Sequence, residues 1–75
     1  MDTSSFLTRL AEVLEVEPGS ISETTLLNET NWDSLAMLGT IGLIDSDYGV
    51  TIPTDDLRRC AAVKDILDLI RQATA

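Results

Sequence analysis

Side chains capable of covalent chemistry are scarce in this sequence. It contains no histidine and a single cysteine, Cys60, so the side chain that most often serves as a general base near neutral pH is missing. The acidic residues do not show the spacing of a metal-binding motif. Ser34 is the exception, because it directly follows Asp33 where a polar loop turns into a predicted helix. A hydroxyl at that position is presented to something outside the protein, and the absence of the usual general bases and metal ligands argues against an enzyme.

The alternative for Asp33 and Ser34 is structural. Aspartate and serine are both preferred at the N-cap of a helix, where a side-chain oxygen accepts hydrogen bonds from free backbone amides. The dipeptide by itself therefore does not separate a helix cap from a modification site. We interpret Cys60 as a small hydrophobic residue of the core, since a lone cysteine in a cytosolic protein is usually buried.

Length and charge limit the remaining possibilities. Residues 1–75 make one domain, with a thin core and no room for a large catalytic cleft. Thirteen acidic and five basic residues give a net charge of -8, which repels nucleic acid and anionic membranes and favours partner proteins with basic patches. The alternative is that the acidity only keeps a small domain soluble. With no signal-peptide pattern and no apolar run near about 18 residues, we expect a cytoplasmic protein, and its small size and charge favour a monomer.

Hydrophobic periodicity predicts the elements that position Ser34. A first helix begins at a cap on Ser4 or Ser5 and is stopped by Pro18-Gly19. A polar loop over 20–32 follows, in which a capping-box pattern predicts a helical turn near 21–25. The apolar residues predicted to anchor this loop to the core are Ile21, Leu26 and Leu27.

The second helix begins at Asp33 or Ser34 and reaches about Asp47, where Tyr48-Gly49 ends it. Its predicted buried face consists of Leu35, Leu38, Ile41 and either Leu43 or Ile44. Thr54 is expected to cap a short third helix that ends near Arg59, and a final helix runs from about Val63 to Gln72. The predicted fold is all-α, a small four-helix bundle with three longer helices and a short third one.

The pattern around Ser34 resembles that of a known family. Asp33-Ser34-Leu35 stands at the start of an apolar helix, a long loop precedes it, and Ile52-Pro53 and a final amphipathic helix follow at the family's spacing. In these features the chain is similar, over nearly its whole length, to acyl and peptidyl carrier proteins. The resemblance implies that a phosphopantetheinyl transferase, using Mg²⁺, attaches 4'-phosphopantetheine from coenzyme A to the Ser34 hydroxyl.

The resemblance implies a carrier that catalyses nothing itself. The terminal thiol of the arm would hold an acyl or aminoacyl group as a thioester, for acyl-loading and acyl-processing enzymes of fatty acid or polyketide biosynthesis. The family pattern also implies that Asp33 contacts the transferase or its metal, and that Leu35 anchors the helix of the serine to the core. A helix N-terminus suits an attached phosphate, because its free amides and partial positive charge stabilise an anion.

The sequence departs from the family pattern before the serine. Where the family commonly has a glycine three residues before it, this chain has Asn31, which can also take a positive φ and so preserve the turn. Where a small residue commonly precedes the aspartate, the chain has an exposed Trp32. We expect this tryptophan either to cover the hydrophobic anchors of the loop or to contact a partner or the cargo.

The second helix departs further. Carriers of primary fatty acid synthesis have acidic residues along this helix that dock basic partners, whereas residues 36–42 here carry no charge. We therefore expect docking by apolar contact and a specialised pathway. The candidate partner contacts are Trp32, Met37, Gly39, Gly42, Asp45, Asp55 and Asp56. For the two glycines the structural alternative is close packing of a neighbouring helix or of the loop.

Three functions remain open from the sequence. The first is a discrete acyl carrier protein, since the chain begins with Met1 and ends within a few residues of its last helix. The second is a peptidyl or aminoacyl carrier of the same fold, which an adenylating partner would identify. The third is a helical adaptor that uses the groove between the second and third helices and carries no cofactor.

Overall fold

Four helices make up the computed structural model, which describes residues 3–74. In chain order they are α1 (Thr3–Leu14), α2 (Ser34–Tyr48), α3 (Thr54–Arg58) and α4 (Val63–Thr74). Two 3₁₀ turns, Pro18–Ser20 and Leu27–Glu29, lie in the connection between α1 and α2. The described residues form no strand. The predicted all-α fold, with three longer helices and one short one, is confirmed.

A single hydrophobic core joins the four helices and the long loop. α1 contributes its face at helical spacing, and α4 contributes its own in the same way. The largest completely buried apolar side chains are Phe6, Leu10, Leu14, Leu27, Ile44, Leu57, Val63, Ile66, Leu67 and Ile70. An ion pair between Arg9 and Asp47, 3.3 Å long, links α1 to the end of α2 at the surface.

α1 ends at Leu14, four residues before Pro18, the residue predicted to stop it. Glu15 takes left-handed backbone with φ 59. Its amide donates to the carbonyl of Glu12 at 3.2 Å, and the amide of Val16 donates to the carbonyl of Ala11 at 3.0 Å. This is the Schellman arrangement, in which glycine is the usual left-handed residue. Because glutamate occupies that position, this early end of α1 could not be predicted from the residue types.

Ser4 and Ser5 do not cap α1, since both lie inside its first turn. The residue before Thr3 lies outside the described part of the chain. Short hydroxyl side chains are common at caps and in the neighbouring turn, so their presence locates a helix start only to within a few residues.

Two of the three predicted loop anchors are confirmed. Ile21 and Leu27 are buried, whereas Leu26 is 45% exposed and forms an isolated antiparallel bridge with Ala62. Leu26 has extended backbone and Leu27 begins the 3₁₀ turn, so the two side chains point in different directions and only Leu27 reaches the core. In place of the short helix predicted over 21–25 there is one hydrogen-bonded turn, in which the amide of Thr25 donates to the carbonyl of Ser22 at 3.2 Å.

The predicted end of α2 is confirmed. Gly49 is left-handed with φ 70 and ψ 22, and its amide donates to the carbonyl of Asp45 at 3.0 Å. Pro53 then has extended backbone and is itself the N-cap of α3. Thr54 is therefore the first residue of α3, and the prediction that it caps this helix is wrong.

The buried face of α2 differs from the predicted one. Leu35 is 77% exposed and Leu38 is 62% exposed. Apolar residues lie on nearly all sides of this helix, so periodicity alone cannot select the side that faces the core. The residues that are buried are Ala36, Met37, Thr40, Leu43 and Ile44. The Thr40 hydroxyl donates to the carbonyl of Ala36 at 2.8 Å, which satisfies its polar atom inside the core.

Candidate functional site

Ser34 is the first residue of α2 and is exposed. Its hydroxyl makes no hydrogen bond with any residue of the described part of the chain. Asp33, at the N-cap, has extended backbone, and its Oδ1 accepts from the amide of Ala36 at 2.8 Å. The carboxylate therefore caps the helix, as the structural interpretation predicted, while the neighbouring hydroxyl stays available for reaction.

Asn31 supports the turn before the serine, but not in the predicted way. It does not have a positive φ, since Glu15 is the one non-glycine residue between positions 3 and 74 that does. Instead, the Asn31 Nδ2 donates to the carbonyl of Leu14 at 3.2 Å. Its own carbonyl accepts from the amide of Asp33 at 3.0 Å. A side-chain hydrogen bond thus ties the loop before Ser34 to the end of α1.

Trp32 is half-buried and packs against the core, which agrees with a cover over the loop anchors and corrects the expectation of an exposed ring. Its indole Nε1 is buried and finds no hydrogen-bond acceptor among the described residues. Leaving such a donor unpaired costs about 1–3 kcal/mol. The sequence offers no signal for this orphaned N–H, because it depends on what the fold places around the ring.

The environments of Leu35 and Met37 are the reverse of those predicted. Leu35 is exposed, so the prediction that it anchors the helix of Ser34 to the core is wrong. Met37 is only 8% exposed, so the side chain expected at a partner surface lies in the core instead. The apolar surface that follows Ser34 is formed by Leu35 and Leu38, which we call the leucine strip.

The two glycines of α2 have different surroundings. A Cβ added to Gly39 would lie 2.9 Å from Cγ1 of Val13, whereas one added to Gly42 would meet nothing within 4 Å. Close packing against α1 therefore explains Gly39. Gly42 remains open and extends the uncharged surface beyond the leucine strip.

Two of the three acidic residues predicted to contact partners form ion pairs with neighbouring arginines. Asp55 pairs with Arg58 at 3.1 Å. Asp56 pairs with Arg59 at 3.3 Å. Asp45 is exposed and has no ion pair within the described chain. Exposed pairs of this kind contribute only about 0–1 kcal/mol, so they matter more for the charge that a partner meets than for folding.

Cys60 behaves as the core interpretation predicted, although it is only half-buried. It packs against the core, and its Sγ lies 3.5 Å from the carbonyl oxygen of Asp56. Burial, with the charges of Asp65 and Asp56, raises the pKa of this thiol to about 11. A thiol with that pKa is a poor nucleophile at neutral pH.

Neither a metal site nor a membrane span is evident over residues 3–74. No group of three or more histidine, cysteine or acidic side chains comes together there in a way that could hold a metal ion. No helix of that region combines the length and the apolar composition needed to cross a bilayer.

Comparison with known proteins identifies the family. A family profile described as a phosphopantetheine attachment site matches residues 4–70. The chain belongs to this family of carrier proteins. An acyl carrier protein of Thermosynechococcus vestitus is 30% identical to this carrier over 67 residues, covering 88% of the chain and 83% of the relative. The actinorhodin polyketide synthase acyl carrier protein of Streptomyces coelicolor is 40% identical over 47 residues, covering 63% of the chain and 55% of the relative.

Membership in this family tests several of the predictions made from the sequence. Proteins of this family are carriers, not enzymes, and they hold 4'-phosphopantetheine covalently. They interact with synthase and processing enzymes. The predicted family, the non-enzymatic role and the cofactor are therefore confirmed.

Proposed function

We propose that Ser34 is the residue that carries 4'-phosphopantetheine, and that the chain presents acyl groups to partner enzymes. The observation that supports this is the exposed Ser34 hydroxyl, free of hydrogen bonds to residues 3–74, at the start of a 15-residue helix. When bound, the cofactor supplies a flexible arm whose terminal thiol holds an acyl group as a thioester. We further propose one carrier domain over 1–75, acting as a cytoplasmic monomer.

The start of α2 fits this modification. The Ser34 Oγ would form the new bond to phosphorus while the pyrophosphate bond of coenzyme A breaks and adenosine 3',5'-bisphosphate leaves, and the hydroxyl proton would pass to a phosphopantetheinyl transferase. The free amides and partial positive charge at this helix end favour the phosphate that results. Asp33 uses Oδ1 for the cap, which leaves Oδ2 for the transferase or its Mg²⁺.

The partner surface that we propose runs from Ser34 along the leucine strip to Gly42 and Asp45. From Ser34 to Ile44 this helix has no charged residue. Partners that dock here would therefore bind mainly by apolar contact, and their kcat/KM would change little with salt. This supports a specialised pathway in preference to primary fatty acid synthesis.

Leu38→Ser and Asp45→Asn separate these two modes of docking, with the transferase as the partner. The leucine variant should raise KM at both low and high salt, whereas the aspartate variant should change it little. Apolar docking would be contradicted if the KM of the wild type rose steeply with salt and if Asp45→Asn changed KM more than Leu38→Ser did.

Intact-mass measurement tests the attachment residue. Purified protein is weighed before and after incubation with coenzyme A, Mg²⁺ and a broad-specificity phosphopantetheinyl transferase. We expect a gain of one phosphopantetheine in the wild type and in Ser46→Ala, an exposed serine of the same helix, and no gain in Ser34→Ala. A gain that persists in Ser34→Ala would assign another residue. No gain on folded wild-type protein would favour the adaptor.

A further inference from the structure

A pocket of about 210 Å³ lies between the end of α1 and the start of α2, and Ser34 itself is not among its lining residues. Asp33 and Leu35, the residues on either side of the serine, both line it. Val13 and Glu15 line it from the end of α1, about twenty positions away in the chain. The pocket therefore connects the proposed attachment residue to a helix that is distant in sequence. We call it the α1 pocket.

The lining of the α1 pocket has two chemical sides. Val13 and Leu35 supply hydrocarbon. Asp33 and Glu15 supply carboxylate oxygens, and Asn31 supplies a side-chain carbonyl because its Nδ2 already donates to α1. No arginine or lysine is among the described residues that line it. Such a surface disfavours an anion and suits a neutral group that combines methyl groups with hydroxyl or amide donors.

We propose that the α1 pocket binds the pantoyl segment, the part of the phosphopantetheine arm next to its phosphate. This rests on Ser34 being the attachment residue. The pantoyl segment has two geminal methyl groups, which match Val13 and Leu35. It also has a hydroxyl and an adjoining amide N–H, which match the acceptors of Asp33, Glu15 and Asn31.

Position and size support this segment over the rest of the arm. The pocket begins at the two residues bonded to Ser34, so it lies within reach of the proximal end of the arm, while the thiol lies at the far end. Its volume is below the range of about 300–1,000 Å³ that is typical for a complete small ligand. The phosphate remains outside, at the free amides of α2.

Gly39 maintains one wall of the pocket. Because a Cβ at this position would lie 2.9 Å from Cγ1 of Val13, a larger residue would displace that wall. The close packing of α1 on α2 thus places Val13 where the arm can meet it. Binding in the α1 pocket would direct the arm along α1, so that partners meet the end of α1 together with the cargo.

An isotope-filtered NOE experiment tests this placement. Carbon-13-labelled protein is modified with unlabelled coenzyme A, and intact mass first verifies the modification. We expect NOEs from the geminal methyl groups of the arm to the Val13 methyl groups, and shifts of the Leu14 and Glu15 amides between unmodified and modified protein. Val13→Ala should lose these amide shifts. Leu7→Ala, a half-buried residue of the same helix outside the pocket lining, should retain them.

The outcomes separate this proposal from the function on which it rests. A mass gain with NOEs confined to residues 33–36, or directed to α3, would overturn the α1 pocket and leave Ser34 as the attachment residue. No mass gain would overturn both. Retention of the amide shifts in Val13→Ala would show that the arm does not contact that wall, and would also overturn the pocket.

Discussion

At the start of α2, the adjacent side chains of Asp33 and Ser34 have different roles. The Asp33 carboxylate holds the amide of Ala36 at 2.8 Å, and the Ser34 hydroxyl remains unbonded to the described residues. A helix cap and a modification site were alternative interpretations of this dipeptide. The geometry allows both, because the cap needs only one oxygen of the aspartate.

Asp33→Asn and Asp33→Ala separate the cap from the proposed contact with the transferase. Asparagine caps as well as aspartate, so Asp33→Asn should leave the free energy of unfolding nearly unchanged, whereas Asp33→Ala should lower it by about 1 kcal/mol. Urea unfolding followed by circular dichroism measures both. If the carboxylate contacts the transferase or Mg²⁺, both variants should be modified more slowly. A wild-type rate of modification in Asp33→Asn would contradict that contact.

Trp32 is a second residue of this kind, because the packing of its ring and its unpaired N–H can be tested separately. Trp32→Phe keeps an aromatic ring in the same place and removes the buried, unpaired N–H. We therefore expect its free energy of unfolding to be equal to that of the wild type or up to about 1 kcal/mol higher. Trp32→Ala also removes the packing and should cost about 2 kcal/mol, roughly half the cost for a completely buried ring. A clear loss of stability in Trp32→Phe would show that the indole N–H has a partner.

Cys60 gives a prediction on pH. Its pKa is raised from an ordinary value of 9.0 to about 11, chiefly by burial. At pH 8 its thiolate should therefore be about a hundredfold scarcer than in the unfolded chain, and alkylation by iodoacetamide correspondingly slower. Because the fold favours the neutral thiol, its contribution to stability is complete below about pH 9 and is lost as the pH rises through about 11. Equal alkylation rates for folded and urea-unfolded protein would contradict this.

At the scale of the elements, the rotation of α2 decides which apolar residues are available to partners. The contact of Gly39 with Val13 brings one side of the helix against α1, and the leucine strip faces outward as a consequence. The same rotation places Met37 in the core. Apolar residues lie on nearly all sides of α2, so packing against the rest of the protein determines which side is buried, and helical periodicity does not.

Gly39→Ala and Gly42→Ala are a matched pair that tests this packing. Alanine is favoured over glycine in a helix interior by up to about 1 kcal/mol. Gly42→Ala should gain most of that, because its added Cβ meets nothing within 4 Å. Gly39→Ala should gain less or lose stability, because Val13 is β-branched and stiff and must move. Thermal or urea unfolding ranks the two, and equal stabilisation would show that α1 does not pack tightly on Gly39.

At the scale of the whole molecule, acidic charge is in large excess. Four of the five basic residues pair with aspartates, at 3.1 to 3.3 Å, and these pairs lie at the surface. Over positions 3–74, ion pairs therefore involve only four of the acidic residues, and at a net charge of -8 the acidic groups repel one another. This repulsion opposes the compact state.

Added salt should screen this repulsion and stabilise the fold. We expect the urea midpoint to rise as sodium chloride increases from low to moderate concentration, where the screening length becomes shorter than the molecule. Circular dichroism at each salt concentration measures the midpoint. Repeating the series with a neutral osmolyte in place of salt separates screening from exclusion at the surface. A midpoint that does not depend on salt would contradict the proposed repulsion.

Features that depend on a few neighbouring residues could be predicted before the structure was known. These are the all-α fold, the start of α2 at Asp33 and Ser34, its end at Gly49, and the family resemblance around the serine. Each rests on a local backbone preference or hydrogen bond, which a short stretch of chain encodes.

Which side of α2 faces the core, and with it the exposure of Leu35 and the burial of Met37, depends on contacts between helices. The tertiary structure also determines that Trp32 is half-buried, that Asn31 bonds to the end of α1, and that a pocket joins α1 to the residues around Ser34. These features arise between segments that are far apart in the chain. Their physical cause is the packing of whole helices against one another, which no local pattern of residues specifies.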